Sequence, residues 1–211
     1  MINTMIKTAL FSLLLLTVGI AQAIPLAYVQ GQHYQTTKSL LPVVDDTQKE
    51  VVELFMYTCP HCYHLEPEVE DWKKSIDSSV HFIQMPAVFS DAQKPLAAAF
   101  YAAQAMGVHD KLHPLFFDAI HEDGLQLNSN KAILDYVEQQ GIDRASFDKM
   151  MSSFAVKTKV KKAAVYTKMS GVGGVPSFVV NGRYYTSGPM AGSIENLFNV
   201  VDYLVEQNTA K

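Results

Sequence analysis

Apolar positions along the chain fall into two rhythms. The run Val51-Val52-Glu53-Leu54-Phe55-Met56-Tyr57 is unbroken except for one acid, as in a strand covered on both faces. Val80-His81-Phe82-Ile83-Gln84-Met85 predicts a second strand, ended by Pro86. Between them, Cys59 to about Ile76 has helical spacing, with Leu65, Val69 and Trp72 on one stripe and Pro67 placed to kink or interrupt it.

From residue 91 to 170 the strand–helix alternation gives way to helix after helix. Pro95 to Met106 is Ala-rich and stops at Gly107; residues 109–122 stop at Gly124 and residues 129–140 at Gly141. A short piece spans 144–151, and a longer one, about 153–170, stops at Gly171; glycine just past a helix is the expected stop signal. Val175-Pro176-Ser177-Phe178-Val179-Val180 then leads through Asn181-Gly182 into Arg183-Tyr184-Tyr185, a type I′ hairpin signal. Pro176 stands at the first residue of its strand, where a sheet tolerates proline. Ser193 to Glu206 closes the chain as an amphipathic helix. Residues 24–49 are polar and irregular, with a short edge strand expected at Leu26-Ala27-Tyr28. The expectation is an α/β chain of thioredoxin-like fold: residues 24–90 and 171–211 form that domain, and residues 91–170 an inserted α-helical subdomain.

The first 23 residues read differently. Met1 to Ala23 carries one charge, Lys7, then an apolar core, then Ala21-Gln22-Ala23. That is the layout of a cleavable secretory signal peptide, too short in its apolar part for a membrane span. Cleavage would leave a chain beginning near Ile24, exported to a compartment where disulfides persist. Loss of Lys7 takes the formal net charge from −4 to −5, which gives no support for nucleic-acid binding.

The chemistry concentrates in Cys59-Pro60-His61-Cys62, which holds the only two cysteines of the chain. An apolar strand, then CxxC, then a helix is the order of a thioredoxin-like redox site. A helix N-terminus offers unpaired N–H groups and the positive end of the macrodipole, so Cys59 there should be stabilised as a thiolate. Pro60 suits the first turn, and Cys62 lies one turn in, within reach of Cys59. His61 can add a positive charge or an N–H. A shift of roughly four units from a free value of about 8.5, about three of them effective at pH 7, favours the reduced form by about 4 kcal/mol. For a two-electron couple that is on the order of 90 mV, enough to make the disulfide an oxidant.

Two plainer readings compete. CxxC with His61 or His64 could be half of a metal site, but a structural zinc site wants four ligands and no second cysteine pair exists. A purely structural disulfide would enclose two residues and remove little chain entropy. The remaining histidines show no metal-ligand spacing; His109 and His113 are four apart on a predicted helix with no acid in sequence to orient them, so a packed or solvated role is expected. Glu53, the one acid in an apolar strand, is either a residue at the solvent end or a buried carboxylate of raised pKa that moves protons beneath the cysteines.

Phe55-Met56-Tyr57-Thr58-Cys59-Pro60-His61-Cys62-Tyr63 and Gly174-Val175-Pro176-Ser177-Phe178-Val179-Val180-Asn181-Gly182, with a signal peptide and a helical insertion, resemble the DsbA family of periplasmic thiol:disulfide oxidoreductases. Members of that family are the reference case for a low cysteine pKa and an oxidising potential, so the direction argued above is not independent of it. The resemblance implies that Cys59 is the exposed nucleophile and Cys62 its buried partner. It implies that Pro176 is a cis-proline facing the disulfide, with Val175 pairing through its backbone with substrate. Glu53 takes the place of the family's buried acid, and where many members have a lysine on the next strand this chain has Gln84. That departure should leave Glu53 more readily protonated. The implied partners are unfolded secreted proteins with free cysteines and an inner-membrane, quinone-linked oxidase of the DsbB type. No metal or other cofactor is implied beyond the Cys59–Cys62 disulfide, and the protein is expected to be a monomer. The substrate groove is expected from the 171–176 loop, His61 and parts of the helical subdomain. The rivals are a periplasmic disulfide isomerase or reductase, a metal-binding or delivery protein using the CxxC, and a chaperone without redox chemistry.

Overall fold

A computed structural model of the protein describes residues 28–44 and 47–207. The signal-peptide reading of residues 1–23 and most of the Leu26–Tyr28 strand lie outside them; Tyr28 itself is in no strand. The strands are β1 (Gln35–Thr36), β2 (Lys49–Phe55), β3 (Val80–Pro86), β4 (Ser177–Val180) and β5 (Tyr184–Thr186), arranged β1-β5-β4-β2-β3. Helix α1 (Pro60–Ser75) joins β2 to β3, its parallel neighbour. Between β3 and β4 run α2 (Lys94–Ala105), α3 (His109–His121), α4 (Asn130–Gln139), α5 (Arg144–Met151) and α6 (Phe154–Ser170). The chain closes with α7 (Gly188–Ala191) and α8 (Ile194–Glu206).

β2 is the axis of the molecule. It pairs parallel with β3 and antiparallel with β4, and every residue from Glu50 to Phe55 is buried. Side chains alternate across a strand, so Val51, Glu53 and Phe55 face one way and Val52 and Leu54 the other. Val51 packs with Leu65, Val69 and Trp72 of α1 and with Leu197, Val201 and Leu204 of α8. Val52 and Leu54 pack with Leu41, Tyr166 and Val179. The side chain of Phe55, the last residue of the strand, enters the helical core, among Phe100, Phe117 and His113. That core also contains Tyr57, Cys59 and Cys62, so the redox motif is packed where the helices meet the end of the central strand.

Local signals set the helix ends. Ser129, Asp143, Ser153 and Ser193 each accept a hydrogen bond from the third backbone N–H of the helix that follows, satisfying a donor the helix cannot. α6 stops at Gly171 in a left-handed conformation. Asn181 and Gly182 both have positive φ, 50° and 61°, as a type I′ hairpin requires.

Two features lay outside the periodic pattern. The edge strand next to β5 is Gln35–Thr36, two polar residues that pair with Tyr185 and Tyr184. α1 runs through Pro67 without ending, as α3 does through Pro114. A proline deprives only the carbonyl one turn earlier of its N–H, and packing of Val69 and Trp72 beyond it holds the helix together.

Gly182 offers a test of the hairpin. A Cβ there would lie 2.5 Å from the Leu41 carbonyl oxygen, whereas at Gly192, also at positive φ, it would meet nothing within 4 Å. Gly182→Ala should cost about 2–3 kcal/mol by urea unfolding and Gly192→Ala about 1 kcal/mol.

Candidate active site

The site begins at the end of β2. Cys59 is the N-cap of α1, with extended φ/ψ of −95° and 115°, and Pro60 follows at the start of the helix. The Cys59 carbonyl accepts from the N–H groups of Cys62 and Tyr63, and its own N–H donates to Met56. Both cysteines are thiols in this structure. Cys59 is 9 % exposed and Cys62 1 %, so an incoming thiol meets Cys59 first.

Cys59 is held down at about 6. The largest cause is a hydrogen bond from the Cys62 thiol to the Cys59 sulfur; partial burial opposes it, and the N–H groups of Cys62 and His61 and the charge of His61 add to it. The direction matches the sequence reading, but the size and the agent differ. His61 is an exposed side chain whose contribution is the smallest of these, because water screens it. From about 8.5 down to about 6 the gain for the reduced form at pH 7 is about 1.4 kcal/mol, or about 30 mV, not 90. Cys62 moves the opposite way, far up: hydrogen bonding to Cys59 and burial both favour its thiol.

Across from the motif, the Val175–Pro176 peptide is cis. The Cys59 thiol donates to the Val175 carbonyl oxygen at 3.4 Å, so the 173–176 loop lies against the sulfur. A groove of about 720 Å³ runs from there, lined by His61, His64, Val175, Pro176, Met190 and Ile194 among others. Its far wall is α7 and the start of α8. The chain returns past β5 to place residues 187–194 there, a long-range packing event that leaves no local mark in sequence. A second hollow beside Tyr57 and Thr58 is lined by Leu96, Ala97, Ile120 and Leu127 of the helical insertion.

Glu53 is fully buried, not at a solvent end. Gln84 is its direct neighbour on β3, and the Gln84 amide donates to Glu53 at 3.1 Å and to Glu66 of α1 at 3.2 Å. Burial, then the charge of Glu66, push Glu53 up to about 8, so it is mostly protonated at neutral pH. Gln84 does lean the other way by hydrogen bonding, but an amide brings no positive charge.

Sequence reasoning missed a set of residues on α3. His113 Nε2 lies 3.0 Å from Glu66 and its Nδ1 2.7 Å from the Tyr57 hydroxyl. His121 donates to the Tyr57 carbonyl at 2.8 Å and stacks on Tyr63. The acid that orients His113 comes from 47 residues away, which is why no local spacing revealed it. A stripe of histidines at 109, 113 and 121 on one helical face was the available clue.

The surroundings can therefore hold a sulfur anion at Cys59 and keep Cys62 protonated, and an open groove begins at Val175, whose carbonyl Cys59 contacts. No group of three His, Cys, Asp or Glu side chains among the described residues is placed to hold a metal ion.

A family model described as a DSBA-like thioredoxin domain matches residues 82–204. A protein of Burkholderia cepacia, "Thiol:disulfide interchange protein DsbA", is 38% identical over 205 residues, covering 95% of this chain and 97% of its own. A protein of the same name from Pseudomonas aeruginosa is 35% identical over 183 residues, covering 87% of each chain. The crystal structure of Pseudomonas aeruginosa DsbA superposes with a TM-score of 0.80 at 35% identity, covering 85% of this chain and 94% of that one. The structure of the oxidoreductase DsbA from Xylella fastidiosa gives 0.77 at 30% identity, over 87% and 99%. With a CxxC at the N-terminus of α1 and a helical insertion between β3 and β4, the chain belongs to the DSBA-like thioredoxin domain family and is a thiol:disulfide oxidoreductase of thioredoxin-like fold.

Proposed function

We propose that the protein donates a Cys59–Cys62 disulfide to newly exported proteins in the periplasm. A substrate thiolate attacks the Cys59 sulfur, the Cys59–Cys62 bond breaks, and its electron pair leaves on Cys62, which takes up a proton. A second substrate thiolate then attacks the substrate sulfur of the mixed disulfide. Cys59 departs as a thiolate, carrying the electron pair of that bond, and the substrate leaves oxidised. Pro60 starts the helix, and His61 contributes a modest charge and one wall of the groove. Val175 and Pro176 face the sulfur, where an extended substrate peptide would pair with the Val175 backbone. Glu53 is the proton partner beneath the motif. Re-oxidation falls to an inner-membrane, quinone-linked oxidase of the DsbB type, and the protein works as a monomer with no cofactor but its disulfide.

The same reading divides the chain at 90/91 and 170/171, supported by the placement of α2–α6 between β3 and β4. Export rests on the composition of residues 1–23 and on the kinship with DsbA proteins.

The observation that carries this reading is the depressed thiol of Cys59 beside a Cys62 driven the other way. A leaving thiolate of low pKa departs quickly and makes its disulfide easier to reduce. A reductase gives up electrons because its disulfide is the favoured state, and the groups around Cys59 favour the dithiol instead. Equilibration with glutathione tests the point. The pair should be more oxidising than glutathione, with peptide oxidation abolished in Cys59→Ser; a pair harder to reduce than glutathione disulfide, or activity surviving the substitution, would sink the donor role.

Absorbance titration of the reduced protein should place the Cys59 thiolate near pH 6. Because the Cys62 thiol is the principal donor, Cys62→Ala should raise that midpoint by about 1–2 units, and His61→Ala by well under 1.

The same shift makes stability depend on pH. A thiol lowered from about 8.5 unfolded to about 6 folded stabilises the reduced protein fully above pH 8.5, and that contribution disappears as pH falls through 6. The disulfide form lacks the group. Paired urea melts should therefore show the reduced form losing ground to the oxidised form on acidification between pH 8.5 and 6.

A further inference from the structure

Cys62 leaves the enzyme disulfide as a buried thiolate, and such an ion has to find a proton at once. Glu53, fully buried, shares its face of β2 with Phe55, which packs in the same core as Cys62. Its carboxyl charge therefore acts on that thiol, and it holds a proton at neutral pH. One oxygen of Glu53 and one of Glu66 are buried without a hydrogen-bond partner among the described residues. Two carboxylates that close, each half-satisfied and sharing the single amide of Gln84, cannot both ionise cheaply. Something must decide which of them holds the proton.

The only charged or titratable side chain hydrogen-bonded to either carboxylate among the described residues is His113. Its ring is 5 % exposed and bonded at both nitrogens, to Glu66 at 3.0 Å and to the Tyr57 hydroxyl at 2.7 Å. With the Tyr57 hydroxyl donating to Nδ1, Nε2–H is the donor to Glu66. Phe55, Phe100, Phe117 and the His109 ring pack around it, so it is largely shielded from water. The titratable or charged groups facing this cluster are Glu66, Glu70 and Lys73 from α1, Tyr57 before it, Glu53 from β2, and His109 and Asp110 from α3 itself.

We propose that His113 is a positioning residue for disulfide donation: its bond to Glu66 fixes the negative charge there and so keeps the shared proton on Glu53, ready for Cys62. The step is Cys62–S⁻ plus Glu53–COOH giving Cys62–SH plus Glu53–COO⁻, with no other reactant. The imidazole comes from the helical insertion and reaches Glu66 rather than Glu53, whose neighbour on β3 is the uncharged Gln84. The inference rests on Glu53 being the proton partner, and the experiment separates the two.

Carboxyl ¹³C NMR would follow Glu53 in the full mature protein, and stopped flow the oxidation of a reduced peptide across pH. Loss of the donor in His113→Phe should lower the Glu53 midpoint from about 8 by about one unit. The high-pH fall in oxidation rate should move down by the same amount, and His113→Gln, which still offers an N–H, should recover most of both. A Phe variant that is merely less stable, with the Glu53 midpoint unmoved, overturns the role of His113. A Glu53→Gln enzyme with an unaltered pH profile overturns Glu53 as proton partner instead. Should the Phe variant fail to fold, the wild-type protein decides: the ¹⁵N shift of His113 Nε2 has to step at the Glu53 midpoint, and a flat response there refutes the coupling.

Discussion

Hydrogen bonding to one sulfur organises this molecule. Cys59 sits where a helix has donors to spare, and its neighbour Cys62 adds an S–H. Each donor is fixed by something else: the N–H groups by the turn of α1, the Cys62 thiol by burial in the helical core, and the approach to Cys59 by His121 holding the Tyr57 carbonyl. A sulfur so placed is stable as an anion only because none of these groups has to be recruited when the charge appears. The central strand supplies the rigidity, ending with Phe55 and then Tyr57 buried among aromatic rings.

Much of this was legible in the chain itself. Periodicity marked every long helix to within about two residues, because most have a capping serine, an aspartate or a terminal glycine at their ends, and α1 begins at Cys59-Pro60. Asn181-Gly182 announced its turn since few residue pairs accept two positive φ angles. The redox motif stood out for the same reason: strand, CxxC and helix are contiguous, so their geometry is local. The pairing of Glu53 with Gln84 is what the family resemblance implied, and the register of β2 against β3 places the two side by side.

What was hidden depends on packing between distant segments. The weight given to His61 came from its place in the motif, but exposure decides what a charge is worth and sequence does not print exposure. His113 looked unaccompanied because its acid lies on another helix, and the part of the groove wall formed by residues 187–194 arrives there only after the last hairpin. The two-residue β1 is too short and too polar to carry a periodic signal; its pairing with Tyr184 and Tyr185 is the whole of its definition.

The separation of the groove wall from the redox motif has an evolutionary reading. Met190 and Ile194 belong to a segment that makes no contribution to the thiolate at Cys59, and the residues that do contribute are confined to the first turn of α1. On the proposed reading, in which this groove seats the substrate, drift in the terminal segment would retune which polypeptides are accepted while electron-accepting strength stays constant. A lineage could specialise its clientele by changing a handful of side chains that never touch sulfur.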